Sequence, residues 1–102
     1  MKSYRFLAEA ENEFQEQIRY FDEQVAGLGN KFIADLEFTV ESIRAFPESG
    51  APVSQNLRKR LLRVFRHSVF YVKTQDEIIV VAVAPYRRRP GYWRKRMQNL
   101  TR

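Results

Sequence analysis

The sequence predicts an α+β fold in which one antiparallel-rich sheet carries a pair of antiparallel helices on one face. The first observation is the apolar run Ile78 to Ala84, which is short and rich in β-branched residues. Such a run is typical of a strand that is buried on both faces. The second is a pair of amphipathic segments earlier in the chain, joined by a short stretch with two glycines. The third is the order of the elements, with most strands following the helices.

The chain of 102 residues is predicted to form a single domain, residues 1–102. The predicted elements are a strand at 3–7, helices at 8–26 and 30–45, a three-stranded antiparallel meander at 57–64, 68–73 and 78–84, and a short C-terminal helix within 92–100. Residues 47–56 are predicted to be a loop because Pro, Gly, Ser and Asn are frequent there.

Apolar side chains recur every three or four residues in both helical segments, as they do in helices that bury one face. They are Phe14, Ile18, Phe21 and Val25 in the first segment, and Phe32, Leu36, Val40 and Ile43 in the second. Gly27 and Gly29 are predicted to end the first helix. Asn30 is predicted to be the N-cap of the second helix, and Pro47 to end it.

The composition argues against several kinds of site. The chain has no cysteine, so it has no disulfide and no thiolate ligand or nucleophile, and His67 is its only histidine. We therefore expect neither a metal nor another cofactor. No phosphate-binding loop or hydrolase motif is present. The N-terminus does not resemble a secretory signal, and no apolar run approaches the roughly 20 residues of a membrane span. A cytoplasmic location is expected.

The charge is distributed unevenly along the chain. Residues 1–51 contain 5 Lys or Arg and 10 Asp or Glu, which gives a net charge of −5. Residues 52–102 contain 13 Lys or Arg and 2 Asp or Glu, which gives +11. Such asymmetry indicates an acidic partner for the second half: a nucleic acid, an acidic protein segment or an anionic surface. The alternative is a solvated basic face with no dedicated partner.

Two clusters account for most of this positive charge. The first is Arg58, Lys59, Arg60, Arg63 and Arg66, and the second is Arg87, Arg88, Arg89, Arg94, Lys95 and Arg96 with Tyr92 and Trp93 between them. We expect the clusters to face each other at one sheet edge and to form a concave basic surface. Such a surface binds phosphates, stacks bases on Tyr86, Tyr92 or Trp93, or binds carboxylates. The same residue types also permit RNA cleavage, and the aromatic residues are equally suited to a core.

Several stretches also match a known family. They are Ala8 to Glu11, Tyr20-Phe21, Leu28-Gly29 with Phe32, Ile43 to Pro47, Arg63 to Tyr71, Ile78 to Ala84, and Arg87-Arg88-Arg89-Pro90 leading to Tyr92-Trp93. On these residues the chain resembles the RelE/ParE superfamily of type II toxin–antitoxin toxins. The resemblance implies a small bacterial toxin of a plasmid-stabilisation module. It also implies a hetero-oligomer with a cognate ParD-like antitoxin, whose acidic, amphipathic C-terminal segment wraps the toxin.

The superfamily has two branches with different targets. RelE-like members cut mRNA on the ribosome with two arginines and a tyrosine, at positions that fall here on Ser68, Arg87 and Trp93, with Tyr92 adjacent. ParE-like members inhibit DNA gyrase. The ending Pro90 to Trp93 and the joint Leu28-Gly29 resemble the ParE-like branch, which we favour. The alternatives are a RelE-like ribonuclease and an inactive relative that only binds its antitoxin.

These interpretations assign the basic residues to two sets. The expected target-binding residues are Arg87, Arg88, Arg89, Tyr92, Trp93, Arg94 and Arg96. The expected antitoxin-binding residues are Arg58, Arg60, Arg63 and Arg66. If the protein is a ribonuclease, the candidate catalytic residues are Arg87, Tyr92 and Arg63.

Overall fold

A computed structural model of the chain describes residues 1–54, 56–89 and 91–100. Its elements are β1 (Ser3–Phe6), α1 (Ala8–Gln24), α2 (Leu28–Ala45), β2 (Ala51–Ser54), β3 (Leu57–Leu61), β4 (His67–Lys73), β5 (Glu77–Pro85) and α3 (Arg94–Leu100). The strands form one sheet in the order β1-β5-β4-β3-β2. β1 is parallel to β5, and the other neighbours are antiparallel. The predicted α+β class and the meander are confirmed.

The helical hairpin of α1 and α2 covers one face of the sheet. The apolar stripe of α2 is buried as predicted, and it packs against Val69, Tyr71 and Val80 of the sheet. Phe14, Ile18 and Phe21 of α1 are partly buried against the same core. Val25 was predicted to belong to the buried stripe of α1. It lies just after the end of α1, and the side chain of Val25 is exposed.

The opposite face of the sheet is covered by the C-terminal segment. Phe70, Val81 and Ala84 lie on this face, and they pack with Trp93 and with Met97 of α3. Residues on a strand point alternately to its two faces, so β5 contributes to both cores. Residues 78–84 are therefore buried throughout, as the apolar run predicts.

The joint between the helices differs from the prediction. α1 ends at Gln24 and α2 begins at Leu28, so Asn30 lies inside α2 and is not its N-cap. Gly27 has a φ of 88°, a left-handed conformation that glycine adopts without strain. The first turn of α2 is instead capped from α1, since Asp22 Oδ1 accepts the N–H of Gly29 at 2.8 Å. A capping group that comes from another helix is invisible to local sequence patterns.

The segment 47–56, predicted to be a loop, contains a strand. β2 pairs with β3 through Ala51 and Lys59 and through Pro52 and Arg58. All four residues of β2 are exposed, so the alternation that marks a half-buried strand is missing. Pro52 is tolerated because β2 is an edge strand, where one side needs no ladder hydrogen bonds. Gln55, at the end of the predicted loop, lies outside the described residues.

The strand predicted to reach Val64 ends at Leu61, because Asp35 binds the chain that follows. Asp35 is buried on α2, and its carboxylate accepts the backbone N–H groups of Arg63, Val64 and Phe65 at 3.1, 2.9 and 2.8 Å. N–H groups that point at one carboxylate cannot pair with a neighbouring strand. The β3–β4 loop is therefore shaped by α2.

Candidate functional site

The predicted basic residues divide among three surfaces and do not form one concave surface. β4 separates β3 from β5 in the sheet. Arg58 and Arg60 lie on the helical-hairpin face of β3, and Lys59 lies on the opposite face. Each surface has its own set of neighbours.

The first surface lies where α2 runs beside β3, and we call it the α2–β3 ridge. It comprises Arg58, Arg60, Arg63 and Phe38. Arg60 Nη1 donates to the hydroxyls of Ser42 and Ser49 at 3.2 and 2.7 Å. Arg58 Nη1 donates to the carbonyls of residues 48 and 50 at 3.1 and 2.8 Å. The Arg63 guanidinium lies 3.6 Å from the centre of the Phe38 ring.

The hydrogen-bond acceptors on the α2–β3 ridge are all uncharged. Hydroxyl and carbonyl oxygens orient a guanidinium but do not neutralise it. In the described part of the chain, Arg58, Arg60 and Arg63 form no salt bridge. The ridge therefore holds three oriented positive charges.

Arg66 is not part of this ridge. It lies beside Arg87 in a cleft of about 720 Å³ between α1 and the ends of β4 and β5. The cleft, which we call the Arg66–Arg87 cleft, is lined by Gln17, Tyr20, Phe21, Arg66, His67, Pro85, Tyr86 and Arg87. The N–H of Tyr86 donates to the carbonyl of Arg66 at 3.1 Å, which fastens the two basic segments side by side.

His67 is a core residue at the base of this cleft. Its Nε2 lies 2.8 Å from Gln17 Oε1, and its ring packs edge-on against Phe21 and Phe32. Burial lowers the pKa of His67, and the negative charge of Asp35 opposes this shift in part. The imidazole is accordingly favoured in its neutral form, which suits a structural role.

The third surface is the face of the sheet under the C-terminal segment. Trp93 is only 8% exposed, and its ring stacks on Phe70 with 4.4 Å between centres. The Arg88 guanidinium lies 4.1 Å from the centre of the Tyr92 ring. A small groove of about 200 Å³ remains here, with Lys59 and Ser68 also in its wall.

Tyr92 lines this groove, but its hydroxyl is poorly placed to transfer a proton. Its hydroxyl is buried and makes no hydrogen bond of normal geometry within the described ranges. Burial raises the pKa of Tyr92, and the negative charge of Glu13 raises it further, against the opposing charges of Arg96 and Arg88. The phenol is thus held in its protonated form.

Arg96 is part of the fold, since it covers the edge of β5 that β1 leaves open. The pairing of β1 with β5 ends at Val80. Beyond it, Glu13 Oε1 accepts the N–H of Val83 at 3.0 Å, and Arg96 Nη1 donates to the carbonyl of Val81 at 2.9 Å. Arg96 also donates to both oxygens of Glu13, at 2.9 and 3.0 Å, and both side chains are largely buried.

Sequence reasoning missed the two carboxylates that organise these surfaces. Glu13 could not be distinguished, because it is one of four glutamates in the first half of α1. Asp35 did leave a signal. It lies three residues after Phe32 and next to Leu36, so the helical period places it on the buried stripe of α2. A charged residue on an apolar stripe indicates a specific partner.

The three candidate residues of a ribonuclease are not brought together. Arg63 lies on the α2–β3 ridge, Arg87 in the Arg66–Arg87 cleft, and Tyr92 on the opposite face of the sheet. Among the expected target-binding residues, those with exposed side chains are Arg87, Arg88, Arg89 and Arg94. Pro90, which belongs to the family-like ending, lies outside the described residues.

Two classes of feature are absent from the described residues. No helix there is long and apolar enough to cross a membrane. No group of three or more His, Asp or Glu side chains in residues 1–54, 56–89 and 91–100 is arranged to hold a metal ion.

Comparison with known proteins agrees with this fold. A solved structure, described as the chromosomal ParDE TA system from P. aeruginosa, superposes with a TM-score of 0.72 at 15% identity, covering 83% of this chain and 96% of that chain. A search of curated protein sequences finds no significant match. The profile of one family, described as the ParE toxin of the type II toxin-antitoxin system parDE, matches residues 4–90. Since this match spans most of the sequence, the chain belongs to the ParE toxin family of type II toxin–antitoxin systems.

Proposed function

We propose that this ParE-family toxin acts by binding and inhibiting DNA gyrase, and that a cognate antitoxin neutralises it through an acidic segment. The observation that carries the first part is the packing of Trp93 on Phe70. Trp93 stands at the position where RelE-like ribonucleases have a tyrosine. Here it is part of the hydrophobic core between the sheet and the C-terminal segment.

A ribonuclease of this fold needs cations beside the scissile phosphate and a group that transfers protons. Tyr92 is the tyrosine nearest to the required position, but its hydroxyl is buried and its pKa is raised. Ser68, at the position of the first arginine, is buried and uncharged. These features favour a toxin that acts by binding.

The proposed gyrase contact is formed by the exposed arginines that follow β5. Arg87, Arg88, Arg89 and Arg94 are exposed, and Arg88 packs on the Tyr92 ring, which helps to fix this segment. Arginine makes bidentate contacts to carboxylates and phosphates, both of which gyrase bound to DNA presents. Trp93 and Arg96 anchor the segment to the sheet through their contacts with Phe70 and with the carbonyl of Val81.

Inhibition of gyrase is testable with the purified toxin, relaxed plasmid, ATP and DNA gyrase. We expect supercoiling to stop at excess toxin. The double variant Arg88→Ala/Arg89→Ala should need about tenfold more toxin for half-inhibition, as expected when central charged contacts are lost. Arg19→Ala, at an exposed arginine on α1, is the control for losing a positive charge elsewhere on the surface.

Two outcomes contradict the proposed target. One is full supercoiling activity at excess toxin. The other is an arrest of protein synthesis before DNA synthesis in pulse-labelled bacteria, together with mRNA cut at regular codon positions, because this is the behaviour of a ribosome-dependent ribonuclease.

The α2–β3 ridge is the proposed contact for the antitoxin. Its three arginines carry uncompensated charge, and Phe38 beside them is 46% exposed. Cations beside an exposed aromatic ring complement an acidic, amphipathic segment. Arg66, assigned to the same set from the sequence, lies in a different cleft and is not included.

The antitoxin contact predicts a salt-dependent affinity, measured by titration calorimetry at low and high salt. Arg63→Ala should weaken binding by about tenfold at low salt, since it removes both a charge and a cation–π contact. Arg19→Ala should leave the affinity nearly unchanged. An affinity that is insensitive both to salt and to Arg63→Ala would contradict a charge-based ridge contact.

A further inference from the structure

The Arg66–Arg87 cleft as a whole has no role in the surfaces described above, although Arg87 also belongs to the proposed gyrase contact. Its volume of about 720 Å³ falls within the usual range for ligand sites. Its two basic segments lie at the same end of the β4–β5 pair, one before β4 and the other after β5. The hydrogen bond from Tyr86 to the Arg66 carbonyl holds them at a fixed separation.

The charge of the cleft is entirely positive among its described lining residues. Arg66 and Arg87 line it, and no Asp or Glu does. Neither arginine side chain forms a hydrogen bond or salt bridge within the described ranges, unlike Arg5, Arg44 and Arg96, which pair with glutamates. Two unpaired guanidinium groups at the mouth of one cleft favour an anionic occupant, and guanidinium matches a phosphate bidentately.

The remaining lining is mainly aromatic, with Gln17 and Pro85 beside the rings. Tyr20 and Tyr86 line the cleft and are 51% and 48% exposed to solvent, so both are accessible to a ligand. α1 supplies Gln17, Tyr20 and Phe21, which are neighbours on one helical face because they are three and four residues apart. Sites that combine cations with stacking rings are characteristic of proteins that bind single-stranded nucleic acid.

We propose that the Arg66–Arg87 cleft binds a nucleotide unit of single-stranded nucleic acid. The arginines contact the phosphate, and Tyr86, which adjoins Arg87, stacks on the base. A duplex fits less well, because its base faces are stacked inside and cannot meet the tyrosine rings. An acidic peptide fits less well, because carboxylate side chains offer no flat surface to the rings. The site does not require gyrase to be the target.

The test measures fluorescence anisotropy of a labelled oligothymidylate of about ten nucleotides titrated with the purified toxin. We expect the single strand to bind more tightly than a duplex of the same length. The double variant Arg66→Ala/Arg87→Ala should weaken binding by at least about tenfold. It should also reduce the slope of log affinity against log salt by about 0.7, since both arginines contact one phosphate and each neutralised phosphate of a single strand contributes about 0.7.

The tyrosines supply a second test that does not change the charge. Tyr86→Ala should weaken single-strand binding by about tenfold, whereas Tyr86→Phe, which keeps the ring, should bind as tightly as the unmodified chain. Oligouridylate and thymidine monophosphate, used as competitors, distinguish RNA, DNA and a free nucleotide as the source of the unit. Circular dichroism and thermal melting check that each variant is folded.

Three results would overturn the proposed site. The first is the absence of binding at low salt. The second is equal binding of duplex and single strand together with equal weakening by Arg19→Ala and by the double variant, which would indicate unspecific attraction to a basic protein. The third is displacement of the oligonucleotide by an oligoglutamate peptide that binds more tightly, which would assign the cleft to an acidic protein segment.

Discussion

Replacing Asp35 with alanine should lower the free energy of unfolding by about 3 kcal/mol or more, because the buried carboxylate accepts three backbone N–H groups. Alanine removes every acceptor at once and leaves the N–H groups of the β3–β4 loop without partners. Urea unfolding followed by circular dichroism measures the loss.

Two further variants make the Asp35 prediction specific. Glu37→Ala, two residues further along α2 and exposed, should change stability by no more than about 0.5 kcal/mol. Asp35→Asn keeps one acceptor oxygen and should lie between the other two variants. A loss below about 1 kcal/mol for Asp35→Ala would mean that the loop keeps its shape without the carboxylate.

Replacing Trp93 with alanine should cost about 3–5 kcal/mol of stability, the range for deleting a large buried aromatic side chain. Trp93 is buried, stacks on Phe70 and contacts Tyr92 edge-on at 5.6 Å between ring centres. Its removal leaves a cavity between the sheet and the C-terminal segment. Chemical denaturation measures the effect.

Trp93→Phe separates a core role from a target-binding role. Phenylalanine keeps an aromatic ring against Phe70, so this variant should fold and should still inhibit growth when expressed without antitoxin. Loss of growth inhibition in a stably folded Trp93→Phe variant would show instead that the indole contacts the target. In that case the assignment of Trp93 to the core alone would be wrong.

The sequence predicted those parts of the fold whose signal is local. Residues 78–84 could be recognised as a buried strand because both faces of β5 are covered, so nearly every residue in it is apolar. The stripe of α2 could be recognised because burial on one face imposes a helical period. In both cases the pattern along the chain reports directly on the surroundings of each residue.

The parts that were missed depend on contacts between distant residues. β2 is exposed on both faces, so its partner β3 defines it and its own composition does not. The start of α2 is set by Asp22 from the preceding helix, and the end of β3 by Asp35. Capping groups that come from another element leave little trace in the segment that they cap.

The basic residues of the candidate surfaces could be identified from the sequence, but the way in which they are arranged could not. Position in the chain placed Arg63 and Arg66 in one set, three residues apart. The β3–β4 loop turns between them, so Arg63 packs on Phe38 and Arg66 joins Arg87. Which cations share a surface is decided by strand order and loop shape, and neither can be obtained from charge patterning alone.

The parallel pairing of β1 with β5 has a consequence for how the molecule is made. Ser3 pairs with Glu77, so the first strand leaves the ribosome long before its partner exists. A nascent chain that stops short of β5 lacks the partner of β1 and also Val80, so the apolar stripe of α2 is only partly covered. The sheet closes once β5 has emerged, and the arginines that follow it emerge later still. Synthesis therefore delays the proposed toxic surface until nearly the whole scaffold is in place.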